Sequence, residues 1–224
     1  MKVSALVSAY FAEPYLKERI LNLQAQRPAP EIMVVCQKGS KEEEIARFYE
    51  TFILITHNIP SIGEAWNFAI QHASGEYLVI ANSDDTFFNG GLKKLSDVLD
   101  KNSDVGYVWG DQHLKIDGEI KHRKDHGRIG RGGKVPHIKD LLSDRYFCGS
   151  CPMWRRSLHS EFGYFNDGYI VASDYDWALR LARGGVGFYY LPESVGIYPI
   201  RDDSLEHRNQ ELCRIESRKI RGVM

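Results

Sequence analysis

Five short apolar runs, Val3 to Ser8, Ile32 to Cys36, Phe52 to Ile55, Tyr77 to Ala81 and Val105 to Trp109, recur through the first half of the chain and limit what it can fold into. Each is too short for a buried helix and too apolar for an exposed strand, so each reads as a strand covered on both faces. Stretches with helical spacing separate them. Pro14 to Gln26 carries Tyr15, Leu16, Ile20, Leu21 and Leu23 on or near one face, with Pro14 in the first turn. Lys41 to Tyr49 reads as a polar-faced helix with Ile45, Phe48 and Tyr49 turned inward. Ile62, Ala65, Trp66, Ala69 and Ile70 fall at i, i+3, i+4, i+7 and i+8, and Leu92, Leu95, Val98 and Leu99 mark a further helix. Repeated strand–helix units of this length predict an α/β fold: a mostly parallel central sheet flanked by helices, with right-handed crossovers.

The pattern changes after Gly110. Residues 121–139 hold seven Lys or Arg, three His and four Gly against the single acid Asp125, which predicts a mobile basic loop, either solvated or closing over an anionic ligand. Regular structure is expected again from Ile138 to Leu142. Tyr146 to Trp154 reads as strand-rich. Ser173 to Arg183 reads as a helix with Ser173 as N-cap and Gly184-Gly185 as its stop, followed by a last strand, Val186 to Leu191. The segment from Ser204 to Met224 is a charged tail with helical character.

Lys plus Arg number 29 against 30 Asp plus Glu in 224 residues, so no bulk charge points to nucleic acid or to an anionic membrane. No apolar run is long enough to cross a bilayer, and Met1 to Val7 is too short and too β-like for a leader, which predicts a cytoplasmic protein. Cys148-Gly-Ser-Cys151 has the spacing of half a zinc or redox site. No second pair completes it, and buried, inert thiols are the expectation.

The run Tyr77-Leu-Val-Ile-Ala-Asn-Ser-Asp-Asp85 carries the most chemistry. An apolar strand ends there in two adjacent carboxylates, at the place where open α/β sheets bind ligands. Such carboxylates can hold a hard divalent cation, and the cation a diphosphate. The plain alternative is an acidic turn, since Asn, Ser and Asp are ordinary turn residues.

Several further segments fall in order around that run: Val3-Ser-Ala-Leu-Val-Ser-Ala-Tyr10, Glu31-Ile-Met-Val-Val-Cys-Gln-Lys-Gly-Ser40, Gly63-Glu-Ala-Trp-Asn67, Ala73-Ser-Gly-Glu-Tyr77, Tyr107-Val-Trp-Gly-Asp111, Ser150-Cys-Pro-Met-Trp-Arg-Arg-Ser157, Phe162-Gly-Tyr-Phe165 and Ala172-Ser-Asp-Tyr-Asp-Trp-Ala-Leu-Arg180. In that order and spacing the chain, over about residues 3–200, resembles the family 2 glycosyltransferases of the GT-A fold. The resemblance implies one GT-A domain over 1–224. Its nucleotide-sugar-binding half would cover about 1–110, its acceptor half about 111–203, with the tail at 204–224. It implies a nucleotide-sugar donor contacted by Ala9, Tyr10, Gln37, Asn67, Asn82 and Ser83. Asp84 and Asp85 would hold Mg²⁺ or Mn²⁺, and Asp174 would be the general base of an inverting transfer, with Asp176 as the alternative. The acceptor would be a glycan or a lipid-linked sugar, the latter reached by peripheral contact with a membrane.

Four positions depart from the family pattern. Asn82 stands where the first Asp of the metal signature is expected, Cys36 and Gln37 where a uracil-contacting acid is usual, Trp66 in place of an Arg, and Ser173 in place of an acid. Trp154, Tyr175 and Trp177 are candidates for stacking on an acceptor sugar, although Trp177, mid-helix among Ala178 and Leu181, fits a core better. Arg155 and Arg156 are candidates for the diphosphate, and His207 for a third metal ligand. Two rival functions stay open on these residues: a sugar-1-phosphate nucleotidyltransferase, and a non-catalytic carbohydrate- or nucleotide-sugar-binding protein on the same fold. Against the first, Ser8 to Pro14 lacks the expected Gly-rich basic loop.

Overall fold

The structure, a computed structural model, describes residues 2–56, 61–122 and 132–222. Its first half follows the predicted alternation: β1 (Val3–Ala9), α1 (Glu13–Gln24), β2 (Glu31–Gln37), α2 (Lys41–Phe48), β3 (Phe52–Thr56), α3 (Ile62–His72), β4 (Tyr77–Ile80), β5 (Thr86–Phe87), α4 (Gly91–Lys101) and β6 (Val105–Ile116). The second half comprises β7 (Glu119–His122), β8 (Gly133–Lys134), α5 (Ile138–Asp144), β9 (Met153–Arg155), α6 (Leu158–Phe162), α7 (Ser173–Arg183), β10 (Gly187–Pro199), α8 (Leu205–Arg208) and α9 (Gln210–Arg221).

One sheet carries the molecule, in the order β3-β2-β1-β4-β9-β6-β10-β5, with β7 paired to β6 and β8 to β10. β3, β2, β1 and β4 run parallel, and so do β6 and β10. β1, β2 and β4 are buried almost throughout because both faces are covered, whereas the edge strand β3 buries only Leu54. On β4, Leu78 and Ile80 face one core with Trp66, Ala69 and Ile70 of α3 and Trp177 and Leu181 of α7. Tyr77 and Val79 face the other, with Leu16, Ile20 and Leu23 of α1 and Leu92, Leu95 and Leu99 of α4. Helices therefore lie on both faces, as expected for an α/β sheet.

The chain leaves β1 towards β2 on one side and returns to β4 on the other. The strand order thus reverses between β1 and β4, which run parallel, and their carboxyl ends border a crevice.

Several expectations need correction. Tyr146 to Trp154 is mostly not strand, because only β9 pairs there, and it runs antiparallel between β4 and β6. That direction brings Met153 beside Val79 near the carboxyl end of β4 and Arg155 beside Tyr77 at the amino end. Arg155 and Arg156 therefore lie at the edge opposite the Asn82–Asp85 turn and do not serve a diphosphate there. Arg155 Nη2 donates to the carbonyls of Leu99 (2.6 Å) and Asn102 (3.1 Å), and its Nε to Val105 (2.8 Å). Arg156 Nε donates to the Gly75 carbonyl at 2.7 Å.

Trp154, Tyr175 and Trp177 are buried, in an aromatic cluster with His159 and Phe165 around the two tryptophans, so none presents a face to a sugar. Phe48, expected inward, is 79% exposed at the end of α2, where Ala46 and Glu42 take the buried positions. β10 runs past Leu191 to Pro199 through register shifts. Of the predicted loop at 121–139, the ends are regular, in β7, β8 and α5, and residues 123–131 lie outside the described residues.

Replacing Arg155 with Ala strands the last carbonyls of α4 and the first of β6. The variant should lose about 2–3 kcal/mol in urea unfolding, and one as stable as the parent would return Arg155 to the free surface cations.

Candidate active site

The end of β1 and the turn after β4 border the crevice, the chain after β10 reaches that turn through Arg201, and the start of α7 is linked to it through Glu206 and Tyr198. Ala9 ends β1 buried. Tyr10 is 48% and Phe11 78% exposed, and Phe11 holds a left-handed φ of 53°, strained for a non-glycine residue. Gln37 closes β2 opposite Thr56 of β3.

A cavity of about 430 Å³ opens beside these strands, lined by Val35, Thr56, Glu64, Asn67, Phe68 and Asp167 among others. The Asn67 side chain is already engaged. Its Nδ2 donates to the Phe165 carbonyl at 2.8 Å and its Oδ1 accepts the Phe165 N–H at 2.9 Å, which ties α3 to the segment before α7.

The turn after β4 sends its two acids in opposite directions. Asp85 N–H donates to the Asn82 carbonyl at 3.3 Å, closing the turn. Asp85 is 1% exposed and faces the core beside Arg19, itself 1% exposed. Cys151 Sγ–H donates to Asp85 Oδ2 at 3.6 Å. Arg19 Nε donates to the Ala81 carbonyl at 3.4 Å and its Nη1 to Asn22 Oδ1 at 3.1 Å. Burial and the neighbouring Asp84 push the Asp85 carboxyl upward while Arg19 opposes them. Asp85 thus lies inside the sheet–helix interface and is not open to solvent as Asp84 is.

Asp84 is half-buried at the crevice and accepts a charge-assisted hydrogen bond from Arg201 Nη2 at 2.8 Å. The Asn82 Oδ1 is buried with no hydrogen-bond partner among the described residues. Asp84 lies two residues on in the same turn, so the two side chains offer hard oxygens of the kind that Mg²⁺ or Mn²⁺ takes. His207 Nδ1 is 2.8 Å from Ser204 Oγ, a contact that leaves its Nε2 unassigned. Among the described residues no group of three or more His, Cys, Asp or Glu gathers into a cage.

Asp174 occupies the first turn of α7, half-buried, and its Oδ1 accepts the Tyr175 N–H at 2.8 Å. Burial, reinforced by Glu206, pushes its carboxyl up to about 7. Among the described residues it forms no ion pair, whereas Asp176 is neutralised by Arg180 Nε at 2.8 Å. Tyr198 connects the two halves. Its hydroxyl donates to Glu206 Oε2 at 3.2 Å, and the fields of Asp85 and Asp84 reach it.

Ser173 does not cap α7. Its hydroxyl donates to the Tyr169 carbonyl at 3.0 Å and the Asn166 carbonyl at 3.2 Å, and Ala172 holds the N-cap position. Gly63 lets α3 approach, since a Cβ there would stand 2.7 Å from Ser173 Oγ. The cap comes from α9. Glu216 Oε1 accepts the Ile170 N–H at 2.8 Å, and Oε2 accepts those of Val171 (3.0 Å) and Ala172 (2.9 Å).

Arg19, Arg201 and Glu216 were not foreseen from the sequence. Arg19 sits on the apolar stripe of α1 between Leu16, Ile20 and Leu23, an unusual place for a charge. Glu216 shares the buried side of α9 with Ile220. Glu216→Gln should lower stability by about 2–3 kcal/mol, because an amide cannot accept three N–H groups on two charged oxygens. Amide exchange at residues 170–175 should rise selectively, and uniform exchange would contradict this assignment.

Comparison with known proteins agrees with this geometry. A model described as Glycosyl transferase family 2 matches residues 4–163. YwdF of Bacillus subtilis (strain 168), described as an uncharacterized glycosyltransferase, is 26% identical over 192 residues, which is 82% of this chain and 69% of that protein. The structure of S. aureus TarS 1-349 with UDP-GlcNAc matches at a TM-score of 0.76 and 17% identity, over 96% of this chain and 65% of that one. The mannosyltransferase PcManGT from Pyrobaculum calidifontis, solved with GDP-Man and Mn²⁺, matches at a TM-score of 0.72 and 20% identity, over 98% of this chain and 64% of that one. This chain therefore spans just under two thirds of either solved chain, and the likeness to them is one of fold. With a family model matched across most of its length and a GT-A architecture around the β1–β4 crevice, the chain belongs to glycosyl transferase family 2.

Proposed function

We propose that this chain moves a sugar from a nucleoside-diphosphate donor to a hydroxyl of a glycan or lipid-linked acceptor, with inversion at the anomeric carbon. The observation that carries the reading is Asp174. It is an acid held half-buried at the crevice, raised to about 7, with no ion-pair partner among the described residues. A carboxylate confined that way is poised for proton transfer near neutral pH. In the proposed reaction the acceptor oxygen attacks the anomeric carbon as the bond to the diphosphate oxygen breaks. The acceptor proton passes to Asp174, and the diphosphate leaves with the bonding electrons.

The crevice has the right span for such a donor. β2 and β4 lie two strand spacings apart, about 10 Å, which suits a nucleoside with its base near Gln37 and the cavity and its diphosphate at the Asn82–Asp85 turn. Ala9 and Tyr10 border that path, and Ser83 lies in the turn itself. Asn82 Oδ1 and the Asp84 carboxylate would hold Mg²⁺ or Mn²⁺, which when bound neutralises charge on the leaving diphosphate. UDP-GlcNAc in TarS and GDP-Man with Mn²⁺ in PcManGT support a nucleotide-sugar donor without choosing the base. Among the described residues no helix is long and apolar enough to cross a membrane, so a lipid-linked acceptor would be met at a membrane surface.

The donor is identified by thermal shift with UDP, GDP, CDP and dTDP sugars plus Mn²⁺, because a ligand bound only by the folded state raises Tm. With that donor, kcat/KM should rise with pH through about 7 and then level off, as Asp174 gives up its proton.

Asp174→Asn should cut transfer by roughly 10²–10⁴-fold. It should also raise stability at pH 8. The folded carboxyl keeps its proton up to about 7, while the unfolded one releases it near the ordinary value of 3.8. Folding therefore weakens as pH rises through that window, by up to about 4 kcal/mol, and Asn removes the penalty. An active Asp174→Asn enzyme would sink the mechanism.

A further inference from the structure

We propose that Arg201 is a diphosphate-binding cation, parked on Asp84 until a nucleotide enters the crevice. The inference rests on reading this edge as a nucleotide-sugar site, and it adds a residue that contacts the leaving group directly.

Arg201 lies two residues beyond β10, and the route of β10 determines where it falls. Gly196 and Ile197 pair with Phe87 and Thr86 of β5. This pairing is close enough that a Cβ on Gly196 would meet the Thr86 carbonyl oxygen at 2.2 Å. The end of β10 is thereby pressed against the chain just after Asp85. Arg201 then spans the crevice. Its Nη2 donates to Asp84 at 2.8 Å, its Nη1 stands 3.3 Å from the Asp203 carboxylate, and its Cζ lies 4.1 Å from the Tyr15 ring centroid in the first turn of α1. It thus touches both walls of the β1–β4 crevice.

The guanidinium is not used up by these contacts. It offers five N–H donors in a planar fork that matches phosphate oxygens in pairs. Its Nε is buried and donates to no acceptor among the described residues. The Tyr15 ring 4.1 Å from Cζ holds the guanidinium beside α1 by a cation–π contact.

The surrounding charge points the same way. Asp85 is turned into the core against Arg19, so Asp84 is the acid of the turn that Arg201 meets. A diphosphate entering beside Asp84 brings further negative charge, and the cation already there is the group that can offset it. Arg201 Nη2 and a divalent ion would compete for the same Asp84 oxygens. The chain should therefore keep part of its diphosphate affinity without any metal. Removing Asp84 should release Arg201 to the phosphates.

Calorimetric titration of UDP, GDP, CDP and dTDP, each against its monophosphate, in EDTA and in Mn²⁺, tests this. The parent protein is expected to bind one diphosphate in EDTA. Arg201→Gln should weaken that diphosphate at least tenfold and its monophosphate less than threefold, with Arg201→Lys in between. Asp84→Asn should tighten the diphosphate in EDTA, which a purely structural ion pair would not produce and which does not depend on how well Arg201→Gln folds. Diphosphate binding by the parent only in Mn²⁺ overturns the proposal. So does Asp84→Asn binding no tighter than the parent in EDTA, or equal loss of mono- and diphosphate in Arg201→Gln. If no nucleoside diphosphate binds the parent in either condition, the nucleotide-sugar reading of the site fails as well.

Discussion

Everything at this site depends on how the turn after β4 divides two neighbouring acids between core and crevice. Asp85 enters the α1–α4 core, where Arg19, Cys151 and Gln112 surround it in a connected polar network. A buried carboxylate is tolerable there because a buried guanidinium lies beside it. With Asp85 fixed inward, Asp84 and Asn82 remain at the crevice. The Arg201 contact follows from that orientation, and so do the proposed metal donors and the proposed entry point for a diphosphate.

The two helices that frame the crevice share a second device. Neither α1 nor α7 carries a side-chain cap of its own at its N-terminus. Each borrows a glutamate from another helix. Glu42 of α2 accepts the N–H groups of Ala12 (2.7 Å) and Glu13 (3.2 Å), and Glu216 of α9 accepts those of residues 170–172. An acid at a helix N-terminus satisfies open N–H groups and complements the helix dipole. The loop bearing Tyr10 and the turn bearing Asp174 are therefore positioned from elsewhere in the chain. The charged tail is a structural part of the site, since α9 reaches the start of α7.

The sheet was legible because fully buried parallel strands must be short and largely apolar, as β1, β2 and β4 are, and β3 at the edge is short and apolar as well. The helix stripes of α3 and α7 were legible for the same reason. What failed depended on strand direction and long-range packing. Arg155 and Arg156 sit next to a plausible site motif in sequence, yet the antiparallel course of β9 carries them to the far edge, and local pattern does not encode that reversal. Trp154 and Tyr175 could have been surface rings or core rings on composition alone, and burial decided it. Arg201 and Glu216 act through partners 117 and 44–46 residues away, a separation that no local motif records. Asp84 was singled out because the carboxyl ends of parallel strands are where ligands collect, and Asp174 because it stands at the family's acidic position; the roles of both belong to the proposed function.

The most direct test of the central claim is a crystal structure with the nucleoside diphosphate that binds best, grown once in EDTA and once with Mn²⁺. The account predicts the base near Gln37 and the diphosphate over the Asn82–Asp85 turn. Without metal, Arg201 would be hydrogen-bonded to a phosphate oxygen, and Asp174 would face the open side of the crevice in both crystals. A nucleotide bound at the amino edge beside Arg155 and Arg156, or in the crevice with its diphosphate turned away from Asp84 and Arg201, would contradict it.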